Sequence, residues 1–155
     1  MNKTEIGIQA KSRYDQGQFR PRNPQKYKGN PSQIIYRSSW EKKLMNFLDM
    51  NSGVVRWSSE EFFIPYRSPK DGKIHRYFVD FWAEMRTAKG TEQFIMEVKP
   101  LAQTMPPPKA KRVTKAYLER ILTYNVNMAK FEAAKAYCDQ RKMKFMILTE
   151  KQLGI

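Results

Sequence analysis

The chain has 155 residues, enough for one domain with a single hydrophobic core and hardly two. Its 29 Lys and Arg against 15 Asp and Glu leave a net charge of +14, an excess that attracts polyanions and makes nucleic acid the leading partner. A hydrophobic fraction of 41% excludes a wholly disordered chain; a lone cysteine, Cys138, excludes an internal disulfide, and with a lone histidine, His75, a Cys/His zinc site is short of ligands.

Residues 1–33 read as a basic arm. Lys3, Lys11, Arg13, Arg20, Arg22, Lys26 and Lys28 are spread along it, branched apolar residues are few, and Pro21, Pro24 and Pro31 interrupt any helix. Arg13, Arg20, Arg22, Lys26 and Lys28 are candidate phosphate contacts, while Tyr14, Phe19 and Tyr27 are anchors by which the arm docks on its own domain or on DNA. Nothing in the first 19 residues resembles the apolar core of a signal peptide, and no later run spans a bilayer, so a cytosolic protein without membrane contact is expected.

The folded domain is expected over residues 34–155. Between residues 38 and 50, Trp40, Leu44, Phe47 and Leu48 recur at helical spacing, and Asn51-Ser52-Gly53 supplies a stop. VVRW, EFFIPYR and IHRYFVDFWAE follow, rich in β-branched and aromatic residues, with Pro69, Asp71 and Gly72 turning between the last two. They predict consecutive strands that include a hairpin. Lys89-Gly90 marks another turn, and residues 93–99 alternate as a further strand ended by Pro100.

QTMPPPKAKR cannot be helical at its prolines and predicts a surface loop carrying a second candidate DNA-binding cluster, Lys109, Lys111 and Arg112. Helical spacing returns through Leu118, Ile121 and Leu122, again through Phe131, Ala134, Tyr137 and Cys138, and the strand KFMIL closes the pattern. This order predicts an α/β domain with a central mixed β-sheet flanked by α-helices.

Asp80, inside YFVDFW, and the triplet Glu97-Val98-Lys99 are the residues that carry chemistry. Alternation along a strand projects Glu97 and Lys99 to one side, and a neighbouring strand brings Asp80 beside them. Two adjacent carboxylates repel unless a cation joins them, and hard oxygen donors suit Mg²⁺, with Mn²⁺ as a substitute, better than Zn²⁺. Held by Asp80 and Glu97, the ion would polarise a scissile phosphate and supply a water of lowered pKa, with Lys99 orienting that water and stabilising the developing charge. The implied reaction is phosphodiester hydrolysis. Taken alone, an E-x-K triplet also fits solvent-facing strand charges.

The V-D, interval, E-V-K pattern resembles the PD-(D/E)XK nuclease motif, with Val79 standing where proline is common. Across most of the chain, SRYDQGQF, NPQKY, YRSSWE, WSSEEFFIPY, HRYFVDFW, MEVKP and KFMILTE resemble the head-completion nucleases of tailed, T-even-like phages, a family similar to TnsA-type transposition endonucleases. The resemblance implies a restriction-endonuclease-like core over residues 34–155 and a double-stranded DNA substrate. It also implies a catalytic and metal-binding role for Glu41 beside Asp80 and Glu97, action on the packaged DNA end, and terminase, portal or neck proteins as partners. The implied setting is the host cytoplasm during phage assembly, with association with the virion.

Local structure offers a rival role for Glu41, because Ser38-x-x-Glu41 also fits a helix capping box. The tryptophans Trp40, Trp57 and Trp82 and the thiol of Cys138 read as core, Glu60 and Glu61 as solvated strand-edge charges, and His75 is unassigned. Other readings of the whole chain are a non-catalytic basic DNA-binding plug, a junction resolvase and a transposition endonuclease.

Overall fold

The computed structural model describes residues 16–155; Arg13 and the other basic and aromatic residues singled out before position 16 lie outside the described residues. Its centre is a mixed sheet of four strands in the order β3-β6-β7-β8. These are β3 (Val54–Ser59), β6 (Phe81–Thr87), β7 (Gly90–Val98) and β8 (Lys144–Leu148). β6 runs antiparallel to both β3 and β7, and β8 joins parallel to β7. A parallel neighbour requires a long crossover, here supplied by a helix.

Side-chain alternation gives the sheet two apolar faces. Phe81, Ala83 and Met96 point to one face, where α1 (Ser39–Met50) lays down Trp40, Leu44, Met45 and Leu48. Trp82 and Ile95 point to the other, against Ala134 and Cys138 of α2 (Lys115–Gln140) and against a separate ribbon of β4 (Phe63–Arg67) and β5 (Ile74–Phe78). The tryptophans and Cys138 are buried, as the apolar pattern predicts. On α1, Phe47 falls at the edge of the buried arc and is 48% exposed rather than part of the core.

Two departures from the sequence pattern matter for the site. IHRYFVDFWAE is not one strand: it breaks at Val79-Asp80, and its halves enter different sheets. The break is held by Glu60, whose backbone N–H donates to the carbonyls of Val79 and Asp80 at 3.2 and 3.3 Å. The second departure is that the two expected helical segments form one helix, α2, begun by Thr114, whose side chain accepts the Tyr117 N–H. Only its later half is packed. Leu118, expected on a core face, is 55% exposed because the body does not extend beneath the first turns.

Residues 16–33 pack on the body rather than standing apart from it. β1 (Gly17–Phe19) pairs antiparallel with β2 (Ile34–Tyr36), and a 3-10 turn, Pro24–Lys26, lies between them. Phe19 and Tyr27 meet the fully buried Trp57 ring edge-on, at centroid separations of 5.8 and 4.8 Å. At the end of α1 the buried Asp49 carboxylate accepts the backbone N–H groups of Arg22 at 2.8 Å and Asn23 at 3.0 Å. Lys26 Nζ donates to the carbonyls of Asp49 and Asn51, where a cation complements the helix C-terminus. A final short helix, α3 (Glu150–Leu153), opens with a closed capping box between Thr149 and Gln152.

Asp49→Ala strands two backbone donors, each costing about 1–3 kcal/mol when buried without an acceptor. Urea denaturation is expected to show a loss of about 2–4 kcal/mol, with Asp49→Asn recovering part of it through its remaining carbonyl oxygen. An unchanged midpoint would show that the Asp49 contacts to the arm contribute nothing to the fold.

Candidate active site

The antiparallel pairing of Phe81 with Met96 sets the residues just outside that pair, Asp80 and Glu97, side by side at one end of the sheet. Asp80 occupies the break before β6, and its Oδ2 accepts the Val98 N–H at 3.0 Å. Glu97, near the end of β7, is 6% exposed. The Tyr77 hydroxyl on β5 donates to Glu97 Oε2 at 2.6 Å, leaving Oε1 toward Lys99 Nζ at 3.8 Å. Lys99 follows the strand, its backbone held by the Leu148 carbonyl at 3.0 Å. Two carboxylates and an amine thus converge.

Glu41 reaches this end of the sheet from the opposite layer. It lies in the first turn of α1, on the same arc as the buried Leu44, Met45 and Leu48, so helix geometry aims it at the body rather than at solvent. Ser38 Oγ accepts the Glu41 N–H at 3.1 Å, which is half of a capping box. The other half is absent, since Glu41 Oε1 accepts the Arg37 N–H at 3.2 Å instead of the Ser38 N–H. Capping therefore accounts for Ser38 and leaves the direction of the Glu41 carboxylate to the cleft.

Electrostatics mark the same place. Burial, then the charge of Asp80, pushes the Glu41 carboxyl up to about 7. Glu97 is pushed up to about 8 by burial first and by Asp80 second, against the opposing Tyr77 hydrogen bond and Lys99 charge. Asp80 is also raised, chiefly by burial, although the Val98 N–H and Lys99 favour its ionised form. Asp80 and Glu97 lie within hydrogen-bonding reach of each other, so one proton shared between them relieves the repulsion.

The donor chemistry also fits a hard divalent cation, which would relieve the same repulsion: the two carboxylates would supply oxygen ligands and water would complete the shell. Among the described residues no group of three or more His, Cys, Asp and Glu is drawn together tightly enough to hold a metal ion. Glu41 thus faces Asp80 without completing a ready-made cage.

The other predicted contacts are distributed differently. Lys109, Lys111 and Arg112 are exposed in the loop between β7 and α2, and Arg20, Arg22 and Lys28 are exposed on the arm. Lys28 Nζ lies 4.8 Å from the centre of the Trp82 ring, at the rim of a cavity of about 520 Å³ that contains none of the four site residues. Lys26 is committed to the end of α1. His75 pairs with Asp71 at 2.9 Å, away from the carboxylates.

Three residues at the site were not singled out by spacing: Tyr77, Arg37 and Glu60. Glu60 is no solvated edge charge: it forms a two-point ion pair with Arg37, with Nε–Oε2 at 3.0 Å. Glu61 likewise accepts the Tyr27 hydroxyl at 2.5 Å. The one visible signal was the adjacency of Arg37 to the helix cap and of Glu60 to the strand end.

Comparison with known proteins shows the class of this chain to be a nuclease. A family model described as TnsA-like endonuclease N terminal matches residues 51–150, a span that includes Asp80, Glu97 and Lys99, and the chain belongs to that family. Its relatives include the head completion nuclease of Enterobacteria phage T4, 42% identical over 141 residues that cover 88% of this chain and 92% of the relative. No solved structure matches the chain. Among the described residues no helix is long and apolar enough to cross a membrane.

The raised carboxyls carry a stability consequence. A carboxyl whose folded pKa exceeds its unfolded value makes the native state bind more protons in between, so stability falls as pH rises through that window. For Glu41 the window runs from 4.5 to about 7, and for Glu97 from 4.5 to about 8. In EDTA the melting temperature is expected to decline between about pH 5 and 8, and Glu97→Gln should flatten the decline. Parallel curves for parent and variant would show that Glu97 is ionised throughout.

Proposed function

We propose that the protein is a Mg²⁺-dependent PD-(D/E)XK deoxyribonuclease that hydrolyses phosphodiester bonds of double-stranded DNA, with Mn²⁺ able to replace Mg²⁺. The observation that carries this reading is the convergence of Asp80 and Glu97 beside Lys99 at the end of β7. Asp80 and Glu97 would hold the ion, which when bound supplies Lewis acidity at phosphorus and a water of lowered pKa. Lys99 Nζ would orient that water and stabilise charge developing on the phosphate oxygens. Tyr77 fixes one oxygen of Glu97 and so keeps the other directed at Lys99. Glu41 adds negative charge facing Asp80, which favours a divalent cation over the proton that otherwise occupies the pair.

We further propose that the reaction processes the packaged DNA end during completion of a phage head, in the host cytoplasm or in association with the virion. Terminase, portal or neck proteins would be the neighbours at that step. The name of the T4 relative, a head completion nuclease, supports this placement.

Asp80→Asn and Glu97→Gln remove ligand charge with little change of shape, and Lys99→Ala removes the cation. Each is expected to lower Mg²⁺-dependent cleavage of linear or circular DNA by about 100-fold or more, and EDTA should abolish cleavage by the parent. Folded variants that cut at the parent rate would show the site to be misassigned. A parent that cuts no DNA, with all three variants still completing heads, would instead identify a basic plug.

Phosphate contact by the loop has its own test. Replacing Lys109, Lys111 and Arg112 together by Gln should lower the slope of log K against log salt by up to about 2.7, at about 0.9 per phosphate contact. An unchanged slope would take this loop off the DNA track.

A further inference from the structure

Arg37 and Glu60 form a side-chain bridge between the entrance of α1 and the break that carries Asp80. On one side the Arg37 backbone N–H donates to Glu41 Oε1 at 3.2 Å. On the other, the Glu60 backbone N–H holds the carbonyls of Val79 and Asp80, and to do so Glu60 adopts a φ of 54°, in the left-handed region that side chains other than glycine rarely occupy. The guanidinium uses Nε and Nη2 on the Glu60 carboxylate, at 3.0 to 3.3 Å. Its Nη1 has no partner among the described residues, and the Arg37 side chain is 59% exposed.

An ion pair this exposed adds little to stability, so the fold alone gives no reason for a strained Glu60 to present Arg37 here. The charge balance of the cleft gives one. The charges of Glu60, Glu41 and Asp80 all act on Arg37, and Glu97 lies beside Asp80. A DNA phosphate approaching the carboxylates meets repulsion unless cations line its path, and a guanidinium offers a planar fork that matches phosphate oxygens.

Resting on the nuclease reading above, we infer that Arg37 binds a backbone phosphate of the DNA at the rim of the cleft, and that Glu60 holds its guanidinium ready and yields it to the phosphate. Lys99 then serves the reacting phosphate and Arg37 a neighbouring one. The ion pair is a resting partner in competition with substrate, which is a different role from a structural latch.

The two roles predict opposite signs. Anisotropy titrations of a 30-base-pair duplex in EDTA, over a salt series, require no cleavage and so separate this inference from the metal-dependent reaction, which is measured apart in Mg²⁺. Arg37→Gln is expected to weaken binding on the order of tenfold and to lower the salt slope by about 0.9. Arg37→Lys should keep the slope while losing affinity, because the charge remains and the fork is lost. Glu60→Gln, which removes the competitor, should tighten binding by about two- to fivefold. Weakening by Arg37→Gln and Glu60→Gln alike would identify a latch and overturn the inference, as would parent-like affinity and slope in Arg37→Gln, or parent-like affinity in Arg37→Lys should the glutamine variant fail to fold.

Discussion

The hydrogen bond from the Val98 N–H to Asp80 Oδ2 ties the start of β6 to the end of β7, and the arrangement of the site depends on it. Strand pairing alone would let either end fray, since both lie at the limit of the ladder. With the carboxylate accepting this bond, Asp80 is fixed relative to the register that sets Phe81 against Met96, and Glu97 is brought beside it. The site is therefore a property of register. A slip by one residue would turn Glu97 to the α1 face and exchange it for an apolar neighbour.

The same arrangement is costly in the absence of a cation. Glu97 is buried beside Asp80, with Lys99 at 3.8 Å as its nearest positive charge, and the acids respond by holding protons well above their ordinary range. A packing solution would place apolar residues here, as it does one step away at Ile95 and Trp82. Keeping acids in this position stores unfavourable electrostatic energy that a ligand of opposite charge releases. Tyr77 makes the arrangement tolerable by giving Glu97 one satisfied oxygen.

Much of this was legible in the sequence because it depends on period. The helix over Trp40, Leu44 and Leu48, the alternation into Glu97 and Lys99, and the mixed α/β order all follow from side-chain spacing. The break at Val79-Asp80 was not legible, since the aromatic and β-branched residues on both sides of Asp80 favour a strand and the bend is held from outside by the Glu60 backbone. Tyr77 was missed for the same reason: its partner is twenty residues away on another sheet, and only the bend brings them together. Leu118 shows the converse error, because periodicity identifies an apolar stripe without revealing whether the body reaches it. Half of the capping box was real, and a motif that describes Ser38 correctly concealed where Glu41 points.

The net charge of +14 is likewise less uniform than its sum implies. Lys26 is used at the end of α1, and Arg56 and Lys144 pair with Glu84 and Glu92 on the sheet, so these cations serve the fold first. Lys109, Lys111 and Arg112 have no such carboxylate partner among the described residues. Their loop leaves directly from the site: Lys99 leads into Pro100 and a 3-10 turn, Leu101–Thr104, whose first N–H is held by Glu150 of α3 at 2.8 Å. Ten Cα-to-Cα steps separate Lys99 from Lys109, a reach of at most about 35 Å, comparable with one turn of duplex. The cluster is thus tethered within the span of the DNA that would lie across the cleft. Its position follows from the same strand end that carries Glu97 and Lys99, so the proposed chemistry and the proposed phosphate contacts would share one anchor in the fold.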